Sequence, residues 1–563
     1  MCRVLLVLTI FLEQRTIAGA FGFRLFPSCR VVSTISQEGN RRISVTTTTQ
    51  RHMSEPRESD PLLPQVSLPK QEEDVANSSN NDNGSSSPSQ STGRKILDLA
   101  IPAAGALLID PLMTLADTAF VGRFSGENPN ALAGMGSAAA LLTFSFYIFN
   151  FLCTAVTPLV SSKRASGDEK GAVEIGGQAL SFAIVLGSTL AVVLWTLKQP
   201  LLRIMGTSLT GEDANNYALA FISVRALAAP AVLLIEASTG ILRGYLDTKT
   251  PIVVLFGANL VNLLLDVILI VFLGLGPMGA AIATTTAEWI SALLYLSVLA
   301  GRLPAAGGEL GKGRQTQAGK SIVVLPLLEL PTFEQVKPLI VASSSVLLRT
   351  LVLQLSLSGA AAMAARGGDG LSEAAAASVA AHQIGIQLYL ICSFFCDSLA
   401  AASQGLVADA LGRKDGAAVR DISSTVFLYS LYLGLGLAAL LQLGSSTGFL
   451  FDMFTSDPLT RSSLAGILPL IVLAQPISSL VFAADGVLQG ASEFPYQARA
   501  MVLSGLTGIS TFVALQATGP SDETLLHVWV ALIALQVMRG LTSLYKIVDA
   551  EGPINILNRK YES

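Results

Sequence analysis

The stretch IPAAGALLIDPLMTLADTAFVGR, Ile101 to Arg123, decides the fold. Joined to Ile96–Ala100 in front of it, it is long enough as a helix to cross a hydrocarbon core, which takes about 20 residues. Yet it carries Asp110 and Asp117. One aspartate at the centre of a spanning helix costs ~2.5–3.5 kcal/mol on insertion scales. The two stand two helical turns apart, so both project from one face. Such a face cannot lie against lipid. It lines an interior, and an acid-lined interior within a membrane points to a transport path.

Composition agrees with that reading. The 563 residues are 51% hydrophobic and 13% charged, with net charge −4, where a soluble chain carries about 25% charged residues. The deficit marks an all-α membrane protein with many spans. The five cysteines, Cys2, Cys29, Cys153, Cys392 and Cys396, form no ligand pattern. Cys392 and Cys396 lie in an apolar run and read as buried free thiols. His52, His382 and His527 are scattered, so no metal site is expected. With no catalytic triad and no cofactor loop, the chain does not read as an enzyme, and neither a cofactor nor nucleic acid is expected.

Twelve apolar windows run from about Lys95 to Lys546, and they fall into two sets of six. LAAP at Leu227–Pro230 precedes GILRG at Gly240–Gly244, and LAQP at Leu473–Pro476 precedes GVLQG at Gly486–Gly490. Pro102 answers Pro338, and GDEKGA at Gly167–Ala172 answers GRKDGA at Gly412–Ala417. Ordered anchors of this kind imply twelve transmembrane helices in two pseudo-symmetric six-helix lobes, with a cleft on their shared axis. The expected division is an N-lobe at 94–301, an inter-lobe loop at 302–332, a C-lobe at 333–548 and a tail at 549–563. Lysine and arginine crowd the loops on the side of both termini, which makes that side the inner one.

Residues 1–20 have the charged start, short apolar run and Ala18-Gly19-Ala20 site of a signal peptide. Residues 21–53 are basic, hydroxylated and poor in acid, the composition of a transit segment. Together they resemble the bipartite presequences of algae with secondary plastids, which favours a plastid or chloroplast envelope over other endomembranes or the plasma membrane. Residues 54–93 are too polar to bury a core and read as a disordered linker.

Polar groups inside apolar windows mark the candidate site. Asn259, Asn262 and Asp266 form one stripe on the fifth window. With Asp117 they make a cluster able to hold a proton or small cation. The same stripe also fits a hydrogen-bond network between helices. In the second half, Arg349, Asp397 and Asp485 lie in or near apolar windows, with Gln387, Gln383, Gln354 and His382 nearby. Arg349 sits too deep for easy snorkelling, so it either pairs with an interior carboxylate or offers its fork to an anionic solute. Asp485 precedes a glycine and reads as a hinge near a helix end, and His382 as a hydrogen-bonded packing residue. Glu236 and Glu288 are further acids with no spacing argument behind them.

These residues match a family. DPLMTLADTAFVGR (Asp110–Arg123), ILRGYLDTKTP (Ile241–Pro251), NLLLD (Asn262–Asp266) and MGAAIAT (Met278–Thr284) resemble the first half of a multidrug and toxic compound extrusion (MATE) transporter. LLRTLVLQLSLSGAAAMAAR (Leu347–Arg366), CDSLAAASQ around Asp397 and QPISSLVFAADGVLQGASEF (Gln475–Phe494) resemble its DinF-like branch, which includes plant citrate and salicylate exporters. The resemblance implies antiport of a small organic solute against H⁺, ahead of Na⁺, by a monomer in lipid. It puts cation coupling on Asp117, Asn262 and Asp266, to which the stripe adds Asn259. Asp110, Arg349, Asp397 and Asp485 match the plant-like branch, with Gln387 a further lobe-interior candidate. The acid that some bacterial members carry in the seventh helix is absent, with Arg349 there instead, which favours a carboxylate solute. An uncoupled organic-anion pore and a lipid-type flippase are the alternatives. A nucleotide-driven pump is not, because GRQTQAGKS at Gly313–Ser321 has the wrong glycine spacing for a phosphate loop.

Overall fold

The computed structural model describes residues 88–124, 129–204, 212–308, 322–327, 333–364, 373–520, 523–549 and 552–554. The expected signal and transit segments, and the linker up to residue 87, lie outside the described residues. In chain order the helices are α1 (Pro88–Phe124), α2 (Pro129–Tyr147), α3 (Phe151–Ala165), α4 (Glu169–Ile204), α5 (Glu212–Arg225), α6 (Ala229–Gly244), α7 (Lys249–Asp266) and α8 (Gly276–Leu299). The second set is α9 (Phe333–Ala364), α10 (Glu373–Gly412), α11 (Gly416–Ser446), α12 (Phe449–Phe454), α13 (Pro458–Gly490), α14 (Phe494–Thr518) and α15 (Thr524–Val548). They supply twelve spans long and apolar enough to cross a membrane. Two spans of the first lobe are broken by a 3₁₀ turn, α2 to α3 at Ile148–Asn150 and α5 to α6 at Ala226–Ala228. A third, α7, runs straight into a π-helical stretch at Val267–Phe272.

The first helix starts six residues inside the stretch expected to be linker. Pro88 suits the first helical position, where its fixed φ is pre-set and its missing N–H costs nothing. Thr92 then ties this end down by donating to Asp421 Oδ2 at 2.6 Å. The composition of 54–93 registers the polar side chains but not this long-range bond.

The repeat has a packing cause. A Cβ on Gly240 would meet the Cys153 backbone of α3 at 2.9 Å, and one on Gly490 would meet Gln404 O of α10 at 2.8 Å. Gly244 and Gly486 likewise lie against α3 and α10. In each lobe the fourth span therefore crosses the second at near-backbone contact. Lipid offers apolar surface as good as leucine does, so such close van der Waals contact is what holds the pair together. Helix starts repeat too. Asp168 accepts from Gly171 N at 2.9 Å, and Asp415 accepts from Ala418 N at 2.9 Å. These caps correct the sequence alignment of the two loops: Asp168 answers Asp415, two residues out of the GDEKGA/GRKDGA register. The Lys163 ammonium and the Gly171 N–H together hold the Asp168 carboxyl below its ordinary range.

The lobes meet over the halves nearer the loops rich in lysine and arginine, the side read above as the inner one. Ile96 and Ala100 of α1 are buried among residues of α10, α11 and α13, while Leu339, Ala342 and Val346 of α9 are buried among the first lobe's core. Each lobe's first helix thus crosses onto the other lobe at its inner end. Further bonds join α3 to α10: Gln404 Nε2 donates to Thr154 O at 2.6 Å, Ser161 Oγ donates to Gly405 O at 2.9 Å, and Arg164 pairs with Asp409.

Candidate functional site

The first-lobe cluster is built where α1, α7 and α8 converge. Asp117, Asn262 and Asp266 are all buried, the last two completely. Asp117 Oδ1 accepts a long 3.5 Å bond from Asn262 Nδ2, and its Oδ2 accepts 3.2 Å from Thr284 Oγ1. The Asp266 carboxyl lies next to that of Asp117, close enough for the two to interact directly. Neither Asp266 oxygen receives a bond from a protein donor, and Asn262 Oδ1 receives none either. Buried oxygens without a donor cost free energy until something electropositive joins them. Directly after Asp266 the chain leaves α-helical geometry for the π-helical turn, a distortion that recurs at functional sites. Asn259 stays out of the cluster. Its Nδ2 donates to Leu255 O one turn back on its own helix.

Arg225 and Glu288 form a bidentate pair beside this cluster, with the Nη2 to Oε1 arm at 2.8 Å. The pair neutralises itself, so the Asp117–Asp266 contact has no basic side chain bonded to it among the described residues. That is the unusual feature of the lobe: two carboxyl groups facing one another, with no built-in cation between them.

The second lobe solves its charge problem internally. Asp485 lies buried in α13, five residues before its end at Gly490, so it stands near a helix end as its neighbouring glycine implied. Arg349 of α9 donates to Asp485 Oδ2 at 2.5 Å, and Arg539 of α15 pairs with the same oxygen. Gln497 Nε2 donates to Oδ1 at 3.3 Å. Arg539 also donates to Gln536 Oε1 at 3.1 Å, and Gln536 continues to Tyr389 and Ser478. In this structure Arg349 is paired with an interior carboxylate, the first of its two readings. Its side chain is 17% exposed against 5% for Arg539, so one arginine is sealed and the other stands at an edge. His382 departs from expectation: it is buried with no partner on either ring nitrogen and sits edge-on to Trp529, centroids 5.8 Å apart.

Between the lobes lies a second environment. Asp110 and Tyr147 are exposed, and Glu236 and Asp397 are half-buried. Tyr147, just before the 3₁₀ break, lies within electrostatic reach of Asp397, Arg349 and Arg539 from one lobe and Glu236 from the other. Gln387 is exposed and makes none of the described side-chain bonds. Sequence reading missed Thr284, Arg225, Arg539, Arg164 and Asp409. An arginine in the last apolar window was a visible signal for Arg539, since charge at that depth needs a reason.

Comparison with known proteins places this arrangement. A family model described as MatE matches residues 102–268 and 371–512. The chain is 30% identical to Protein DETOXIFICATION 43 of Arabidopsis thaliana over 532 residues, covering 84% of this chain and 93% of that protein. It is 29% identical to Protein DETOXIFICATION 45, chloroplastic, of the same organism, covering 82% and 79%. A solved structure described as the outward-facing conformation of a multidrug resistance MATE family transporter of the MOP superfamily superposes with a TM-score of 0.69 at 17% identity. The superposition covers 80% of this chain and 94% of that one.

Proposed function

Because the chain belongs to the MatE family of extrusion transporters, we propose that it is an H⁺-coupled antiporter that exports a small organic carboxylate by alternating access. The observation that carries the coupling site is the buried Asp266 carboxyl, without a donor on either oxygen, in contact with Asp117. Two neighbouring carboxylates cannot both stay ionised in a dry interior without a counter-charge. One shared proton needs nothing beyond the two carboxyl groups, whereas Na⁺ would need further oxygen ligands around it. H⁺ is therefore the first choice and Na⁺ the second, with Asp117, Asp266, Asn262 and Thr284 as the binding groups.

For the solute, Arg349 is the receiving group. Its planar fork matches a carboxylate. It is the outer of the two arginines on Asp485, and Arg539 and Gln497 keep Asp485 satisfied when Arg349 turns away. Asp110 and Glu236 of the first lobe suit a solute that also carries hydroxyl or ammonium donors. The transit-like composition of 21–53 and the chloroplastic designation of DETOXIFICATION 45 favour a plastid envelope.

Reconstitution tests the reading. Efflux of citrate, salicylate and a cationic dye is followed from proteoliposomes under imposed proton or sodium gradients. Acid-driven efflux of a carboxylate, lost in Arg349→Gln, is the expected result. Dye efflux with no carboxylate movement would overturn the solute class. Efflux that ignores both gradients would overturn coupling.

A further inference from the structure

The inner ends of α3 and α10 hold an ion pair that the coupling and solute sites do not use. Arg164 and Asp409 bond across the lobe boundary with side chains 5% and 6% exposed. In the register set by the glycine contacts and the caps, Arg164 answers Leu411 and Asp409 answers Ser162. The repeat itself therefore has no such pair; opposite charges stand only where the two copies meet. Around it the helices touch closely: a Cβ on Gly412 would reach Ala165 Cβ at 2.8 Å.

Asp409 lies one turn from the end of α10, where the helix dipole opposes a carboxylate. It has two cations for compensation. One is Arg164 of the other lobe; the second is Arg413, four residues on, at 2.8 Å and 51% exposed. Breaking a buried ion pair is normally costly because one charge is left behind, dry and unpaired. Here neither would be. Asp409 keeps Arg413, and Arg164, whose Nε has no partner while the lobes are joined, gains water at the inner face.

We propose that Arg164 and Asp409 are the catch of the inner gate, and that Arg413 makes the catch releasable by taking over Asp409 as the lobes part. This rests on the alternating-access reading only for the idea that the lobes separate. It needs neither the solute nor the coupling ion to be right.

The full chain in lipid nanodiscs, its native cysteines replaced, is spin-labelled at Ser166→Cys and Ala417→Cys, both exposed inner-face positions on opposite lobes. Pulsed electron resonance then reads the closed and open distances with no solute and no gradient present. A Gln404→Ala background, lacking the bond to Thr154 O, lifts the open fraction into range. Asp409→Asn should raise the open-to-closed ratio several-fold, because it leaves Arg164 dry and unpaired. Arg164→Gln should raise it less, since Asp409 keeps Arg413. The double variant should open no further than Asp409→Asn alone. Arg413→Gln should lower the ratio, because Asp409 then depends on Arg164. An unchanged ratio in Asp409→Asn and Arg164→Gln would overturn the catch. A ratio raised or unchanged in Arg413→Gln, an exposed position with little bearing on folding, would overturn the hand-over. A solute or coupling assignment that proves wrong leaves these distances as they are.

Discussion

The two lobes are copies of one six-helix unit, yet they treat buried charge in opposite ways. The N-lobe brings Asp117 and Asp266 together and leaves Asp266 without a donor. The C-lobe surrounds Asp485 with two arginines and a glutamine. Counterparts differ accordingly: Asp117 answers Leu353, Asp485 answers Thr239 and Arg349 answers Met113, while α14 contains no Asp, Glu or Asn. Backbone regularity follows the same division. The second, fourth and fifth spans of the N-lobe carry two 3₁₀ breaks and a π-helical turn, whereas α10, α13 and α14 run unbroken. Charge in the C-lobe is balanced internally, and in the proposed mechanism only Arg349, at the edge of the network, leaves it. In the proposed mechanism the lobe with the unfilled acid pair gains and loses a cation, and its irregular helices supply places for that movement.

Perturbing the C-lobe should therefore cost folding, and perturbing the N-lobe should cost coupling. The largest effect is expected for Asp485→Asn, which leaves two arginines around a neutral group. Breaking a buried ionic network in this way costs about 3–5 kcal/mol, measured as lost thermal stability in detergent. Should the variant melt with the wild type, the contrast between the lobes is broken. Next come the glycines that both lobes share. Gly244→Ala and Gly490→Ala should each destabilise by ~1–3 kcal/mol through overpacking against α3 and α10. Similar losses in the two would sharpen the comparison, because the scaffold repeats while the charges do not.

Arg349→Gln should separate the two arginines of the hub. Its edge position and the retained Arg539 partner predict a melting temperature close to wild type, with carboxylate efflux abolished. A collapse as large as that of Asp485→Asn would make Arg349 structural. The smallest effect is expected at His382→Leu. A buried imidazole with no hydrogen bond gives up nothing on replacement by an apolar group of similar size, so stability should hold or rise slightly. A marked fall would reveal a partner for the ring.

Much of this was legible in the sequence, for a reason particular to membranes. Asp110, Asp117, Asn262, Asp266, Arg349 and Asp485 stand out because polarity in an apolar window is costly, and the glycine and proline anchors display the repeat. Pairing was not legible. Arg349 and Asp485 are 136 residues apart and could equally have faced solute. Thr284 was hidden because a threonine in a spanning helix ordinarily bonds its own backbone, as this one also does to Ala280 O at 2.9 Å. The break at Ile148–Asn150 falls in FYIFNF, with no glycine or proline to announce it. Arg164 and Asp409 read as ordinary inner-face charge because only the docking of two distant helix ends buries them.

The central claim is that the N-lobe acid pair carries the coupling ion, and one paired measurement reaches it most directly. Asp117→Asn is reconstituted beside wild type, and solute efflux driven by an imposed pH gradient is recorded together with solute-for-solute exchange at equal pH. The account predicts that exchange persists while gradient-driven efflux falls to the level seen without a gradient. Gradient-driven efflux at the wild-type rate would contradict it.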